Sequence, residues 1–294
     1  MTAARPSKLN NRLRARIGEP LLAFHYHGKS HNSLVSLSLA FMLDVEYAQV
    51  ADGLQSRDLK HCFASVTPRT PDQIRTHGWL FAVTDQIGSE GGRESPRAVA
   101  LEIVSSGFRS ASPYEVQRAL LPRLIQQANA KLVRDVRKPE SQIAVLACAL
   151  RSDTVVICHA GDLRCYLIRR GHAELLTRDH TIANDQRRLG LVPNRDAVRT
   201  ESRQKLARSL GSDVFVAVDI AERQLIAGDV LLVCSYGLYS RLPETDIELV
   251  ISDNRKLDIA ARELISAAAK NNETAFMGVQ LIRVEDIERR RAES

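Results

Sequence analysis

The spacing of apolar and polar positions along the chain predicts strands in groups that are separated by pairs of helices. Apolar, β-branched runs bounded by glycine, proline or acidic residues are typical of strands. Such runs cover residues 44–53, 59–66, 79–84, 143–150, 154–159, 164–168, 173–176, 230–234 and 275–284. Apolar residues that recur every three or four positions predict helices that begin at Ser95 and Ser112, and two more over 243–251 and 257–269.

The connections between these elements predict how they assemble. Short links at 151–153 and 170–171 favour hairpins, and hairpins give antiparallel sheets. The order of strands, two helices, strands, two helices and a last strand indicates an α+β fold, in which two antiparallel sheets pack as a sandwich with helices on both faces. We expect a single domain over 46–285, a basic N-terminal extension over 1–45 and a charged tail over 286–294.

The strand at 230–234 is the strongest signal in the chain. Its five apolar residues show no polar alternation, which predicts burial on both faces of a sheet. Ser235, Tyr236 and Gly237 end the strand. A polar residue released by a glycine at the end of a buried strand is held at the rim of the sheet, where functional groups are often found. Tyr236 is the residue at that position.

Composition narrows the class of protein. Of the 294 residues, 44% are hydrophobic and 26% are charged, which is typical of a globular protein. The net charge is +6, but the basic residues are scattered and there is one Trp, so we expect no nucleic-acid partner. No apolar run is long enough to cross a bilayer, and we expect a cytoplasmic protein without a membrane partner. Five cysteines without a Cys-x-x-Cys pair predict reduced, buried thiols.

Several motifs resemble those of the protein phosphatase 2C family of metal-dependent serine/threonine phosphatases. The Gly-Asp turn at 228–229 leads into an apolar strand that ends Ser-Tyr-Gly, where the family has Ser-Asp-Gly. Residues 160–167 resemble the family's Gly-Asp-Ser-Arg-x-Tyr hairpin, 176–180 its Leu-Thr-x-Asp-His and 206–211 the segment after its flap. The resemblance spans 47–284 in order. It implies the family's α-β-β-α sandwich, with Asp162 and Arg164 as a structural polar pair.

The resemblance also identifies the positions where the family binds two divalent cations, Mn or Mg, on carboxylates. Asp85 is retained, but Gln86 follows it where the family has Gly. The other three acidic positions carry His61, Tyr236 and Asn271. Carboxylates about 5 Å apart repel by roughly 3 kcal/mol at an effective dielectric near 20, so neutral replacements relieve repulsion once no metal is bound. The pattern therefore implies that neither Mn nor Mg is bound.

The degenerate site implies a pseudophosphatase that binds a protein partner. The compact length of the chain resembles bacterial members of the family, which implies a serine/threonine kinase pathway. The partner class includes phosphorylated proteins and kinases. The polar segment 181–207 reads as a flap, and its arginines are candidates to receive phosphate. They are Arg187, Arg188, Arg195, Arg199 and Arg203. Arg57 stands near the family's phosphate-binding arginine.

Two alternatives remain open at this point. In the first alternative, the chain is an active metal-dependent phosphatase with a non-standard site. His61, Asp85 and Asn271 would then hold a single softer transition metal. The flap arginines are alternatively a solvated surface without a ligand. The first alternative predicts Mn or Mg binding that is lost on Asp85→Ala.

Overall fold

The computed structural model describes residues 39–52, 62–88, 95–135, 142–191, 205–269 and 276–291. Within these ranges the strands form two five-stranded antiparallel sheets. The first sheet has the order β1 (Leu39–Asp52), β10 (Met277–Arg291), β9 (Val230–Cys234), β6 (Arg164–Arg169) and β7 (His172–Leu175). The second has the order β2 (Phe63–Val66), β3 (Trp79–Ile87), β4 (Gln142–Arg151), β5 (Thr154–Ala160) and β8 (Asp219–Gln224).

Helices cover the outer face of each sheet. Those of the described residues are α1 (Pro71–Thr76), α2 (Pro96–Arg109), α3 (Gln117–Asp135), α4 (Ile182–Arg188), α5 (Tyr236–Tyr239), α6 (Glu244–Asp253) and α7 (Leu257–Ala269). The apolar faces of α2 and α3 pack on the second sheet, and those of α5, α6 and α7 pack on the first. A separate apolar core lies between the two sheets. The predicted sandwich with helices on both faces is confirmed.

The strand β9 lies at the centre of its sheet and is buried along its whole length. Leu231 and Val233 point into the core between the sheets, whereas Val230, Leu232 and Cys234 point into the core beneath the helices. Burial on both sides explains why the strand has no polar alternation. The five cysteines are free and buried, as predicted.

Tight turns account for the predicted hairpins and for one of the connections at which the chain changes sheet. Ser152 in the β4–β5 turn and Arg170 with Gly171 in the β6–β7 turn have positive φ angles of 59°, 51° and 81°. Between β5 and β6 the chain passes from the second sheet to the first through Gly161, whose φ is +108°. A Cβ at Gly161 would lie 2.4 Å from the Cβ of Ala144, so this crossing requires glycine.

Several expected boundaries differ from the structure. The strands β1 and β10 pair from Leu39–Arg291 to Asp52–Met277, so the expected domain limits at 45/46 and 285/286 fall inside strands. The second long helix begins at Gln117 rather than Ser112, and Glu115 forms an ion pair with Arg123 (2.8 Å). Residues 67–78, which lie between two predicted strands, contain α1. The polar edge strand β8 was not predicted.

None of the helices that the structure describes is long and apolar enough to cross a membrane.

Candidate functional site

Three connections meet at one end of the sandwich and bring the candidate residues together. Asp85 lies near the end of β3 and pairs across the sheet with Ala144 of β4. Gly161 packs directly against Ala144, which places the next residue, Asp162, on the same side of the sandwich as Asp85. Arg164 pairs with Cys234, the last residue of β9. The residue types that carry charge here therefore come from both sheets.

Two buried carboxyl groups lie at the centre of this site. Asp85 is 8% exposed and Asp162 is 3% exposed, so both carboxyl groups are buried. Burial raises the pKa of Asp85 to about 7, and the nearby charge of Asp162 adds to the rise. Burial likewise raises the pKa of Asp162 to about 7, with a further contribution from Asp179. The backbone N–H of Gln86 donates to the Asp85 carboxylate at 2.7 Å.

An arginine orders the side of the site that faces β9. Arg164 donates two hydrogen bonds to the carboxylate of Asp179, at 2.9 and 2.8 Å. Its guanidinium carbon lies 3.8 Å from the ring centre of Tyr239, whose hydroxyl donates to the backbone oxygen of Asp162 at 2.9 Å. Although burial alone would lower the pKa of Arg164, its hydrogen bonds to Asp179 raise it. The expected pairing of Arg164 with Asp162 needs correction, since the bidentate partner is Asp179.

Tyr236 stands at the rim of the sheet, as the sequence predicts, and is the first residue of α5. The main chain on either side is tightly held. Ser235 Oγ donates to the backbone oxygen of Phe276 and accepts from the backbone N–H of Gly278, both at 2.8 Å. A Cβ at Gly237 would lie 2.4 Å from the oxygen of Phe276. The strand end is thus built as expected around a glycine, and it presents an aromatic ring.

A network that the sequence did not predict holds the base of the flap. The rings of His159 and His180 stack with their centres 4.6 Å apart. Because the backbone N–H of Gly161 donates to His180 Nδ1, the Nε2 atom of His180 carries the proton and donates to Asp219 at 3.1 Å. Arg208 binds the other oxygen of Asp219 at 2.7 Å. The motif at 176–180 contains His180, but no local pattern links it to residue 219.

Burial and these partners shift the pKa values of the network. Burial lowers the pKa of His180 to about 4 and also lowers that of His159. Burial alone would raise the pKa of Asp219, but its hydrogen bonds from His180 and Arg208 bring it down to about 2. The backbone N–H of Ala207 donates to the oxygen of His180 at 2.8 Å. Both ends of the flap segment are therefore attached to one neutral histidine.

Six of the eleven candidate residues lie outside the part of the chain that the structure describes. These are Arg57, His61, Arg195, Arg199, Arg203 and Asn271. Of the flap arginines that are described, Arg187 and Arg188 are exposed on α4. Arg187 donates a hydrogen bond to Asn184. Their positive charge faces solvent.

A site for two hard cations requires several anionic oxygens at favourable geometry. Among the described residues no group of three His, Cys, Asp or Glu is placed to hold a metal ion. Asp85 and Asp162 supply carboxylates, but Tyr236 supplies a phenol at a family ligand position. The charge of Arg97 also acts on Asp85, and that of Arg164 acts on Asp162. The described donors alone do not complete a two-cation site; His61 and Asn271 lie outside the described residues.

Comparisons with known proteins agree with this fold and arrangement. A family model described as protein phosphatase 2C matches residues 48–190. The serine/threonine phosphatase stp of Listeria monocytogenes is 27% identical to this chain over 199 residues, which is 64% of the chain and 78% of that protein.

Solved structures give the same result. The PPM Ser-Thr phosphatase from Mycobacterium smegmatis aligns with a TM-score of 0.65 and 27% identity, over 81% of this chain and 98% of that one. The serine/threonine phosphatase of S. agalactiae aligns with a TM-score of 0.68 over 82% of this chain and 100% of that one; at 22% identity this likeness shows a shared fold.

Proposed function

This chain belongs to the protein phosphatase 2C family, and on that premise we propose that it is a catalytically impaired member, a pseudophosphatase, that binds a protein partner. One observation carries the proposal. At the end of the buried strand β9, where the family has a metal-binding aspartate, this chain has Tyr236. The positive charge of an arginine lowers the pKa of each of the two buried carboxyl groups, Arg97 for Asp85 and Arg164 for Asp162.

The chemistry explains why this change impairs catalysis. In the family, two divalent cations activate the attacking water and neutralise the phosphoryl group. The phenol of Tyr236 is a poor replacement for a carboxylate as a ligand of a hard cation. Because burial raises the pKa of Asp85 to about 7, that group is itself only partly ionised at neutral pH.

The partner that we propose is a phosphorylated protein segment, or a kinase that carries one, in a bacterial cytoplasmic serine/threonine kinase pathway. Exposed arginines bind phosphate through charge-assisted hydrogen bonds. Arg187 and Arg188 lie exposed on α4, and Arg195, Arg199 and Arg203 follow in the same segment of the sequence. Arg57 is a further candidate. The relationship to proteins named serine/threonine phosphatases supports this choice of partner.

A second candidate function is that of an active phosphatase with a non-standard metal site. The retained and buried Asp85 favours it, since His61 and Asn271 would then complete the ligands of one softer metal. This function predicts turnover that depends on Mn and on Asp85.

Hydrolysis of a phosphothreonine peptide in the presence of Mn distinguishes the two functions. We expect the same background release of phosphate from the wild-type protein and from the Asp85→Ala variant. Phosphate release by the wild-type protein that is abolished by Asp85→Ala, while the variant keeps its fold, would establish the active enzyme and overturn the proposal.

A further inference from the structure

A cavity lies at the end of the second sheet that is remote from Asp85. Its volume is about 410 Å³, and it is bordered by the end of β2, by α1 and by the last turn of α2. Gly78, which lines the cavity, directly precedes Trp79 at the start of β3, whereas Asp85 lies near the end of that strand. At about 3.3 Å per residue, Trp79 and Asp85 are roughly 20 Å apart. The cavity is therefore separate from the candidate site, and its volume falls in the range of about 300–1,000 Å³ that is usual for small-molecule sites.

Part of the lining of this cavity is apolar. Val66, the last residue of β2, and Phe108 of α2 both contribute to it. Phe108 is buried in the core between the helices and the second sheet, which holds its ring in place. The adjoining main chain is fixed as well, because Gly78 has a φ of +73° and a Cβ there would lie 2.0 Å from the backbone oxygen of Leu150. This part of the lining offers a rigid surface to an apolar or aromatic group.

The polar part of the lining is basic. Arg69 and Arg109 belong to it, and none of the described lining residues is acidic. The side chain of Arg69 is exposed and forms no ion pair with another described residue. The contacts of Arg109 are long, at 3.5 Å to Ser105 Oγ and 3.5 Å to Glu102 Oε1, and half of its side chain is exposed. Both guanidinium groups therefore keep N–H donors for a ligand.

Hydrogen bonds fix the polar edge of the cavity. Gln73 Oε1 accepts from the backbone N–H of Arg69 at 2.7 Å. His77 Nε2 donates to the backbone oxygen of Ala111 at 3.1 Å, and the backbone oxygen of His77 accepts from Gln117 Nε2 at 3.2 Å. These bonds tie the end of α1 to the segment between α2 and α3. A ligand does not have to order this edge when it binds, which lowers the cost of binding.

The charges and the shape of the lining select the class of ligand. Two arginines repel a cation, and a neutral apolar molecule leaves their N–H donors unused. The planar guanidinium group matches two oxygens of a phosphate or a carboxylate. A ring attached to such a group reaches Val66 and Phe108 within the same cavity. The lining therefore fits an oxyanion on an apolar body.

We propose that this cavity binds a small molecule in which a phosphate or carboxylate group is attached to an apolar ring. The oxyanion accepts hydrogen bonds from Arg69 and Arg109, and the ring packs on Val66 and Phe108. The ligand lies too far from Asp85 to be a substrate of the candidate site. This inference goes beyond the proposed function and does not depend on whether the chain hydrolyses phosphoesters.

Nuclear magnetic resonance titration of the full ¹⁵N-labelled chain tests the proposal. The probes are benzoate, the neutral benzyl alcohol, and phenylphosphonate, which has no phosphoester bond to hydrolyse. We expect the two acids at millimolar concentration to shift the amide signals of Gly78 and Arg109 saturably, whereas benzyl alcohol should leave them unchanged. Saturation by either acid supports the proposal, and the acid that binds more tightly identifies the oxyanion.

Variants at the two arginines test how the probe is held. Arg69→Gln combined with Arg109→Gln should raise the dissociation constant of the tighter acid at least fivefold, because two charge-assisted hydrogen bonds are lost. Arg75→Gln combined with Arg118→Gln is the matched control, since it removes the same charge from exposed positions, one of them on α1. The control should change the dissociation constant less than twofold.

The inference is overturned if neither acid shifts Gly78 saturably, if benzyl alcohol binds as tightly as the acids, or if the double variant keeps the wild-type affinity. Shifts confined to Ala144 beside Asp85, or to Arg187 on α4, would place the oxyanion elsewhere and would also overturn it. Mn-dependent release of phosphate, which tests the proposed function, is measured separately on the same protein. Each proposal can therefore fail without the other.

Discussion

The ring of Tyr236 meets the ring of Tyr239 edge-on, with the ring centres 5.5 Å apart and the planes at 86°. Tyr239 in turn lies beneath the guanidinium of Arg164 and donates its hydroxyl to the backbone of Asp162. The residue that replaces a metal-binding aspartate is therefore part of an aromatic and cationic cluster that reaches the buried carboxylates. Restoring the aspartate alone returns a charge to a site whose surroundings have changed.

Tyr236→Asp is expected to destabilise the protein without restoring a metal site. The new carboxylate adds to the negative charges of Asp85 and Asp162, and like charges in a partly buried site repel by about 1–3 kcal/mol. Urea unfolding in the presence of a chelator measures the loss. Tyr236→Asn is the matched control, because it removes the same ring without adding charge. Equal stability of the two variants would show that charge at this position is tolerated.

Arg164→Leu is expected to reduce the free energy of unfolding by about 3 kcal/mol, since it leaves Asp179 without its bidentate partner in a largely buried position. The side chains of the pair are 24% and 19% exposed. Arg75→Leu is the control, because its pair with Asp72 is 47% and 71% exposed and such pairs contribute less than about 1 kcal/mol. Similar losses for both variants would contradict the structural role of Arg164.

The flap network contributes a loss of stability on mild acidification, and the contribution comes from His180. Burial lowers the pKa of His180 to about 4 in the folded protein, below the usual value of about 6.5. The folded state therefore binds fewer protons than the unfolded state between these values. The contribution of His180 to the free energy of unfolding should consequently fall by about 2 kcal/mol as the pH drops from about 6.5 to 4, while the raised pKa values of Asp85 and Asp162 act in the opposite direction in this window. The lowered pKa of Asp219 extends the loss below about pH 4, toward 2.

His180→Asn removes that titration, so the stability of the wild type relative to the variant should fall by about 2 kcal/mol between pH 6.5 and 4. The exposed His172 provides the matched control, and His172→Asn should keep the wild-type slope. Amide exchange at Ala207, whose N–H donates to the oxygen of His180, reports whether the change is at the base of the flap. An unchanged slope in His180→Asn would show that another group carries the pH dependence.

The flap arginines should determine affinity for phosphorylated ligands. Arg187→Gln with Arg188→Gln is expected to weaken binding of a phosphothreonine peptide library at least fivefold, because two charge-assisted hydrogen bonds are lost. Fluorescence anisotropy measures the affinity beside the unphosphorylated library. Arg75→Gln with Arg118→Gln removes the same number of charges from exposed positions elsewhere and should change affinity less than twofold. Equal effects would assign the binding to net charge alone.

Sequence patterns predicted the elements whose burial is uniform along their length. The bounds of β9 and α7 agree with the structure at both ends, because a fully apolar strand and a strongly periodic helix have clear limits. The edge strand β8 was missed since its residues are polar and partly exposed, and its place in the sheet depends on pairing with β5. Contacts remote in sequence decide such elements.

The site was predicted only as far as local motifs reach. Asp85 and Tyr236 lie at strand ends, and both positions follow from the pattern of the strands before them. The burial of Arg97 and the partner of Arg164 depend on how elements pack, so no spacing in the sequence reveals them. The same is true of the stacked pair of His159 and His180. The partner of a buried charged residue can be identified only when the three-dimensional positions of both side chains are known.

Calorimetric titration of Mn and Mg into the metal-stripped wild-type protein tests the loss of the metal site most directly. With the phenol of Tyr236 at the rim of the sheet, we expect no heat of binding at millimolar metal and no change in the midpoint of thermal unfolding. Stoichiometric binding that raises the midpoint, and that is lost in Asp85→Ala, would contradict the proposal and identify the protein as a metal-dependent phosphatase.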